Sequence, residues 1–379
     1  MDLTQVWGWG GHCGTMVELA SVHDLSMSSE VILDSVTFNA PKCLVYTNFP
    51  DVNPQFASHH LNDIYVARKI EFDQVKLLGL PHGTSLLAVG EEDFIPVVDG
   101  CIPREQVPPY WNHEDIPKML GHPRREVRVP VKALLIARYG YRTWGHWLCE
   151  LLPKIVCIEK IYGSVFQYVL PSKIYSDPTL RTVRQSLEYY GIDIARVVQV
   201  ESDAAYTFDQ LFCVSPVWTS QKLHPRATEL MRSILFQATV QPSDNGKFVF
   251  LRTECATRNV ANAAEILTYL CKEGFRAVEL GNLDFRDQVK IFSTAGTILS
   301  VLGSSLSGLM YSKPHVKVAT LAPSHWGDLF FFALMQERDA RLADIRGVRC
   351  DGDPRPPSSA SFVIDMDVLK AGLSALDVD

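Results

Sequence analysis

From residue 247 onward, strand-like and helix-like segments alternate with a regularity that leaves few folds open. KFVFLR, FRAVEL, TILSVLG and VKVATLA are apolar runs of strand length. Between them, NAAEILTYLCKEG and DFRDQVKIFSTAG carry apolar residues at helical spacing, and SLSGLMYS reads as a short helix. Parallel strands need a long crossover, so this alternation predicts a parallel sheet with helices on both faces. A second alternation precedes it. VKALLIAR, FQYVLP, ARVVQV and FDQLFCV are strands, with helices from about Trp144 to Tyr162, over DPTLRTVRQSLEYYG and over HPRATELMRSILFQATV. Up to about residue 125 the pattern is short and β-rich (EVILD, KCLVYT, NDIYVARKI, TSLLAV), and Pro103–Arg125 reads as a long loop.

The expected fold class is therefore α/β, with two Rossmann-like domains facing a cleft and a β-rich N-terminal portion. PSDNG, residues 242–246, is the expected linker. The first domain covers 1–241, β-rich over 1–125 and α/β over 126–241, and the second covers 247–345. A tail over 346–379 begins Pro- and Ser-rich and ends in a strand and a helix.

The net charge of −7 gives no electrostatic basis for a nucleic-acid partner. The nine cysteines are scattered with no CxxC spacing, which suits reduced thiols acting as small core hydrophobes. No secretory signal and no apolar run long enough to cross a bilayer is evident, so the expected location is the cytoplasm. Peripheral contact with a membrane is compatible with this composition, and oligomeric state is left open.

In open α/β sheets, ligands sit beyond the carboxyl ends of strands, often against a helix N-terminus. Three places qualify in the second half. In FVFLRTECATRN, Arg252 ends a strand and Arg258 precedes a helix, so both could meet a diphosphate with bonds worth roughly 1.5–3 kcal/mol each. Alternatively one of them pairs with Glu254 or Glu265. In VLGSSLSGLMY, Gly303 ends a strand and Ser304 and Ser305 open a helix, giving either an anion-binding turn or an ordinary capped one. Beyond VKVATLAP, residues Thr320, Pro323, Ser324 and His325 could touch a ribose or base.

In the first half, WGHWLCELLPK places His146 and Glu150 four apart, on one helix face. Imidazole beside a carboxylate that fixes its tautomer is a candidate general base. The competing reading is a buried pair that only holds the helix. Pro153 should kink or break the helix by removing the hydrogen bond to Cys149. No HExxH or dense His/Cys cluster marks a metal centre, no Gly-x-Ser-x-Gly marks a serine nucleophile, and no GxGxxG marks a dinucleotide site. Asp351-Gly352-Asp353 and Asp365-Met366-Asp367 have DxD spacing but lie in the tail, outside the alternating core.

Taken together, these blocks resemble glycosyltransferase family 61, which includes plant xylosyltransferases and bacterial polysaccharide-biosynthesis proteins. Gly145-His146-Trp147, Glu150 and Leu152-Pro153 fit its GHW..E.LP block. Arg252, Thr257-Arg258 and Asn262 fit an arginine followed by a basic pair and an Asn-Glu helix. Gln288, Phe292, Ala295, Gly303, Ser304, Leu306 and Pro314 fit a third block, and the likeness covers roughly residues 130–325. The resemblance implies a GT-B fold, an inverting mechanism, no metal or other cofactor, and a nucleotide-diphosphate sugar held by the C-terminal domain. Its acceptor would be a glycan or other hydroxyl on the N-terminal domain. The implied donor residues are Arg252, Arg258, Asn262, Gly303, Ser304, Ser305 and Leu306, and the implied catalytic residues are His146 and Glu150, either of which could act as base. The chain departs from the family at Leu302, Thr320, Thr257 and Ala263, which stand where His, Glu, Arg and Glu are usual. These departures motivate the alternative of a non-catalytic nucleotide- or glycan-binding protein.

Overall fold

The computed structural model describes residues 4–6, 17–48, 68–89, 93–97, 101–103, 124–136, 141–219, 222–236, 245–251, 257–324, 330–356 and 359–378. The chain divides into two compact units, Met1–Ser35 with Asp73–Val217, and Val36–Phe72 with Trp218–Asp379. Neither unit is continuous in sequence.

The first unit is built on one mixed sheet. Val197–Val200, Gln167–Pro171, Arg125–Leu135 and Ala204–Val214 lie side by side and parallel. Val75–Gly79 and Ser28–Leu33 continue the sheet antiparallel, and Ser85–Val89 pairs with the same Ala204–Val214 strand. The division follows connection length. Helices Leu152–Tyr162 and Arg181–Tyr189 cross between parallel neighbours, whereas Ser28–Leu33, Val75–Gly79 and Ser85–Val89 pair antiparallel. Arg125–Leu135 starts earlier than the VKALLIAR run, and its register slips between Val129 and Lys132. Pro130 lies in that gap and has no N–H to give the ladder. Leu78, Leu86, Ala133, Val169 and Ala204 anchor the buried cluster.

The second unit holds the parallel sheet predicted from the alternation. Five of its strands are, in chain order, Gly246–Phe250, Phe275–Ala277, Ala295–Val301, Lys317–Pro323 and Arg341–Arg349. In space they run second, first, third, fourth, fifth. The strand order therefore reverses between Gly246–Phe250 and Ala295–Val301, and a crevice opens at such a switch point beyond the carboxyl ends. Helices Ala263–Lys272 and Met366–Asp377 bury Ile266, Leu270, Leu369 and Leu376 with Leu299, Val301 and Leu321. The next residues along the strands face the other way, where Phe250 meets Phe292 of helix Phe285–Thr294 at 5.4 Å between ring centroids.

Several elements differ from the sequence reading. SLSGLMYS forms a 3-10 helix, Ser304–Tyr311, and FRAVEL stops pairing after Ala277. Helix Phe332–Glu337 and strand Arg341–Arg349 are additional, and the latter runs across the expected domain boundary at 345. The tail is not separate. Its strand Phe362–Val363 pairs with Arg341–Arg349, and its helix packs on the sheet. The insertion Val36–Phe72 contributes Leu44–Thr47 parallel to the same Arg341–Arg349 strand. The units change over at Val217/Trp218, ahead of the expected linker at 242–246. Helix Pro225–Arg232 already belongs to the second unit, where Thr228 donates to Glu337 at 2.9 Å.

Candidate functional site

His146 and Glu150 sit where a helix changes its pitch. Trp144–His146 is one α-turn, Trp147–Leu151 is a π-helical turn, and Leu152–Tyr162 resumes as α-helix. The cause is Pro153, whose ring would clash with the Cys149 carbonyl in a regular helix. The backbone widens instead, and the Leu152 N–H reaches back to the Trp147 carbonyl. The expected kink is therefore a π-turn placed directly under the candidate residues. Trp147 is fully buried, and its indole N–H donates to the Ser186 hydroxyl at 2.9 Å. That anchor fixes the turn, and His146 and Glu150 project from it.

The two side chains are joined, His146 Nδ1 to Glu150 Oε1 at 2.8 Å. The imidazole is 33% exposed and the carboxylate 14%. The pair is therefore partly open to solvent. A carboxylate on Nδ1 sets the ring orientation.

The donor-side candidates lie in the second unit, on the two loops that leave the switch point. One loop follows Phe250. Arg252, at its start, lies outside the described residues. Arg258 is half-buried and has φ 54°, a left-handed conformation that costs a non-glycine residue about 1 kcal/mol or more. Such a residue persists only where its surroundings enforce it, and here its N–H donates to the Ser359 carbonyl at 2.9 Å.

Asn262 turns away from the expected role. Its Nδ2 donates to the Ile364 carbonyl at 2.8 Å, and its Oδ1 accepts from the Ile364 N–H at 3.1 Å. Its amide thus holds the tail strand.

The other loop follows Val301. Gly303 carries the chain out in extended backbone, and half-buried Ser304 and Ser305 start the 3-10 helix. Ser305 Oγ meets Ser300 Oγ at 2.9 Å. Leu306 is fully buried, and its N–H is bonded to the Gly303 carbonyl at 2.9 Å. Leu306 therefore closes the turn from the core side, and its side chain offers nothing to a ligand. Leu302, where the family usually has histidine, is buried as well.

Thr320 reveals residues the sequence reading missed. Its hydroxyl donates to Asp344 at 2.9 Å, and Asp344 pairs with Arg346 at 2.8 Å. Thr320 and Asp344 are direct partners across neighbouring strands. A carboxylate absent at 320 thus stands one strand over. With side-chain exposures of 2% for Asp344 and 0% for Arg346, this pair braces the strands instead of meeting a soluble ligand. Of the other candidates on this edge, the Ser324 N–H donates to the Gly347 carbonyl at 2.8 Å, and His325 lies outside the described residues.

One member of each tail acidic pair is committed to structure. Asp365 caps helix Met366–Asp377 through the Asp367 and Val368 N–H groups. Asp353 accepts from Arg355 and from the Ser361 N–H, which holds its carboxyl well below the usual range. Among the described residues, no three His, Cys, Asp or Glu side chains gather as a metal site would require. No helix among them is long and apolar enough to cross a membrane. Burial pushes the Cys43 and Cys157 thiols up to about 12, so neither is a nucleophile. A cavity of about 90 Å³, lined by Lys247, Tyr269, Glu273, Thr297 and Asp377, opens at the amino ends of the second unit's strands, opposite the switch point.

Residues 144–319, somewhat under half of the chain, match the family model described as Glycosyltransferase 61. The match opens at the His146–Glu150 turn, takes in both switch-point loops and ends in strand Lys317–Pro323. Over these residues the chain is similar to glycosyltransferase family 61. A solved structure of the bacterial iron-containing dodecameric glycosyltransferase TibC, from enterotoxigenic E. coli H10407, is similar at 11% identity. The alignment covers 67% of this chain and 78% of that one with a TM-score of 0.26, too low to bear on the fold. No curated protein matches the sequence.

Proposed function

We propose that the chain is an inverting, metal-independent glycosyltransferase of GT-B architecture, acting in the cytoplasm in polysaccharide or glycoconjugate synthesis. It transfers a hexose or pentose from a nucleotide-diphosphate sugar to an acceptor hydroxyl. The observation that carries this reading is the partly exposed His146–Glu150 pair, held at 2.8 Å at the head of the family match. The acceptor oxygen attacks the anomeric carbon as the bond to the diphosphate breaks on the opposite face. His146 Nε2 takes the hydroxyl proton, and Glu150 orients the ring and stabilises the imidazolium. The nucleoside diphosphate leaves carrying the electron pair. Arg252, Arg258 and the Gly303–Ser305 turn stabilise the charge that develops on it, which is the work a metal does in other transferases.

The test is His146→Ala in the full chain. Transfer falls by at least ~100-fold, the usual worth of a general base, while nucleotide binding survives. Full transfer in that variant overturns the assignment. A second reading, non-catalytic binding of a nucleotide or glycan, is favoured by Leu302 and Thr320, which stand where the family usually has His and Glu. Nucleotide binding without turnover in acceptor-containing extracts would support it.

A further inference from the structure

By sequence the tail reads as an appendage. In the structure, residues 359–364 lie along the loop that leads from the switch point into helix Ala263–Lys272. Arg258 N–H donates to Ser359 at 2.9 Å, Phe362 N–H to Asn259 at 3.1 Å, and Ala261 N–H to Phe362 at 2.8 Å. The Asn262 amide then closes the ladder with its two bonds to Ile364, at 2.8 and 3.1 Å. Phe362 is fully buried against Val260 and Ala263. Gly347 permits the close crossing, since a Cβ there would lie 2.4 Å from the Val363 carbonyl. The far end of the tail loop is fixed on itself, with Asp353 accepting from the N–H groups of Arg355 and Ser361 at 3.0 and 2.8 Å.

Every backbone contact in this ladder falls within the few residues that include left-handed Arg258. Without the tail, a non-glycine residue at that position would relax toward negative φ, and its side chain would be redirected. We propose that the 359–364 segment is a structural part of the donor site. Asn262 is a positioning residue that acts through the tail on Arg258, and it does not touch the nucleotide. The inference rests on the reading of Arg258 as a diphosphate ligand.

Calorimetric titration of the full chain with uridine, guanosine, adenosine and thymidine diphosphates tests it. Arg258→Ala, Asn262→Ala and the double variant are compared with the parent. Arg258→Ala is expected to weaken binding about 30-fold, the loss of one charge-assisted contact. Asn262→Ala is expected to weaken it about tenfold, and the double variant to bind within twofold of Arg258→Ala alone, because both changes remove the same contact.

Unchanged binding by Arg258→Ala, or no binding of any of the four by the parent, overturns the donor reading and the inference with it. A loss in Arg258→Ala with parental binding by Asn262→Ala overturns the inference alone. So does a double variant weakened by the product of the two single effects, since Asn262 would then touch the nucleotide itself. Should Asn262→Ala not fold, amide hydrogen exchange in the parent decides. Saturating nucleotide slows exchange at Arg258, Ala261 and Ile364 by about tenfold if the clasp belongs to the site, and leaves it unchanged if it does not.

Discussion

The two units each hold an acid–base pair at the same separation, 2.8 Å, and the pairs do opposite things. In the first unit, His146–Glu150 stands 33% and 14% exposed on a π-turn. In the second, Arg346–Asp344 is 0% and 2% exposed inside a parallel sheet. Distance does not separate them, but access and proton chemistry do. An imidazole exchanges protons near neutrality, whereas a guanidinium does not. The first pair is reachable from solvent, and the second replaces apolar core at a point where two strands must stay aligned.

Four measurements sharpen or break that contrast. The largest effect is expected at His146. The ~100-fold or greater loss of transfer in His146→Ala should come with an unchanged unfolding midpoint, and a large fall in midpoint instead would make the pair structural. Next is Asp344→Ala, which strands a buried guanidinium. It should destabilise the protein by about 3–5 kcal/mol in denaturant unfolding, and a loss under 1 kcal/mol would show that the pair is not sealed.

Glu337 gives an intermediate effect. Burial pushes its carboxyl from 4.5 up to about 8, beyond what the Thr228 hydroxyl and Arg232 offset. The fold therefore favours the protonated form. The stability this confers is complete below pH 4.5 and is lost as pH rises through about 8. Thermal unfolding of the second unit should weaken across that window by up to about 1.4 kcal/mol per pH unit. Glu337→Gln should flatten the slope, and an unaltered slope would place its origin elsewhere. The smallest effect belongs to Arg128–Asp209, paired at 3.2 Å but 78% and 46% exposed. Arg128→Ala should change stability by no more than about 0.5 kcal/mol, and a larger loss would mean that exposure is the wrong discriminator.

The same contrast explains what was legible in the sequence. The alternation after residue 246 specified the parallel sheet because its strands are nearly continuous apolar runs. Strand Arg341–Arg349 was not legible, since its buried face carries Asp344 and Arg346, which neutralise each other only once paired. Leu44–Thr47 was legible as a strand in KCLVYT but its pairing was not: its partner lies across the chain, and no local pattern reports a remote neighbour. At the site, the four-residue spacing of His146 and Glu150 and the disruption at Pro153 were readable from helix geometry. Asn262 was not, because its partner is the backbone of Ile364, and backbone carries no side-chain signature.

The insertion Val36–Phe72 has a consequence for biosynthesis. Asn48 accepts from the Arg346 N–H at a separation of 298 residues, and Leu44–Thr47 waits on the same partner strand. At about 5–20 residues per second, those 298 residues take roughly 15–60 s to leave the ribosome. Throughout that interval the nascent chain carries a strand with no partner. It also carries a first unit interrupted by sequence that belongs to the second. The segment Val36–Phe72 is thus made early and completed late, and the period between is when it is most open to pairing with a neighbouring chain.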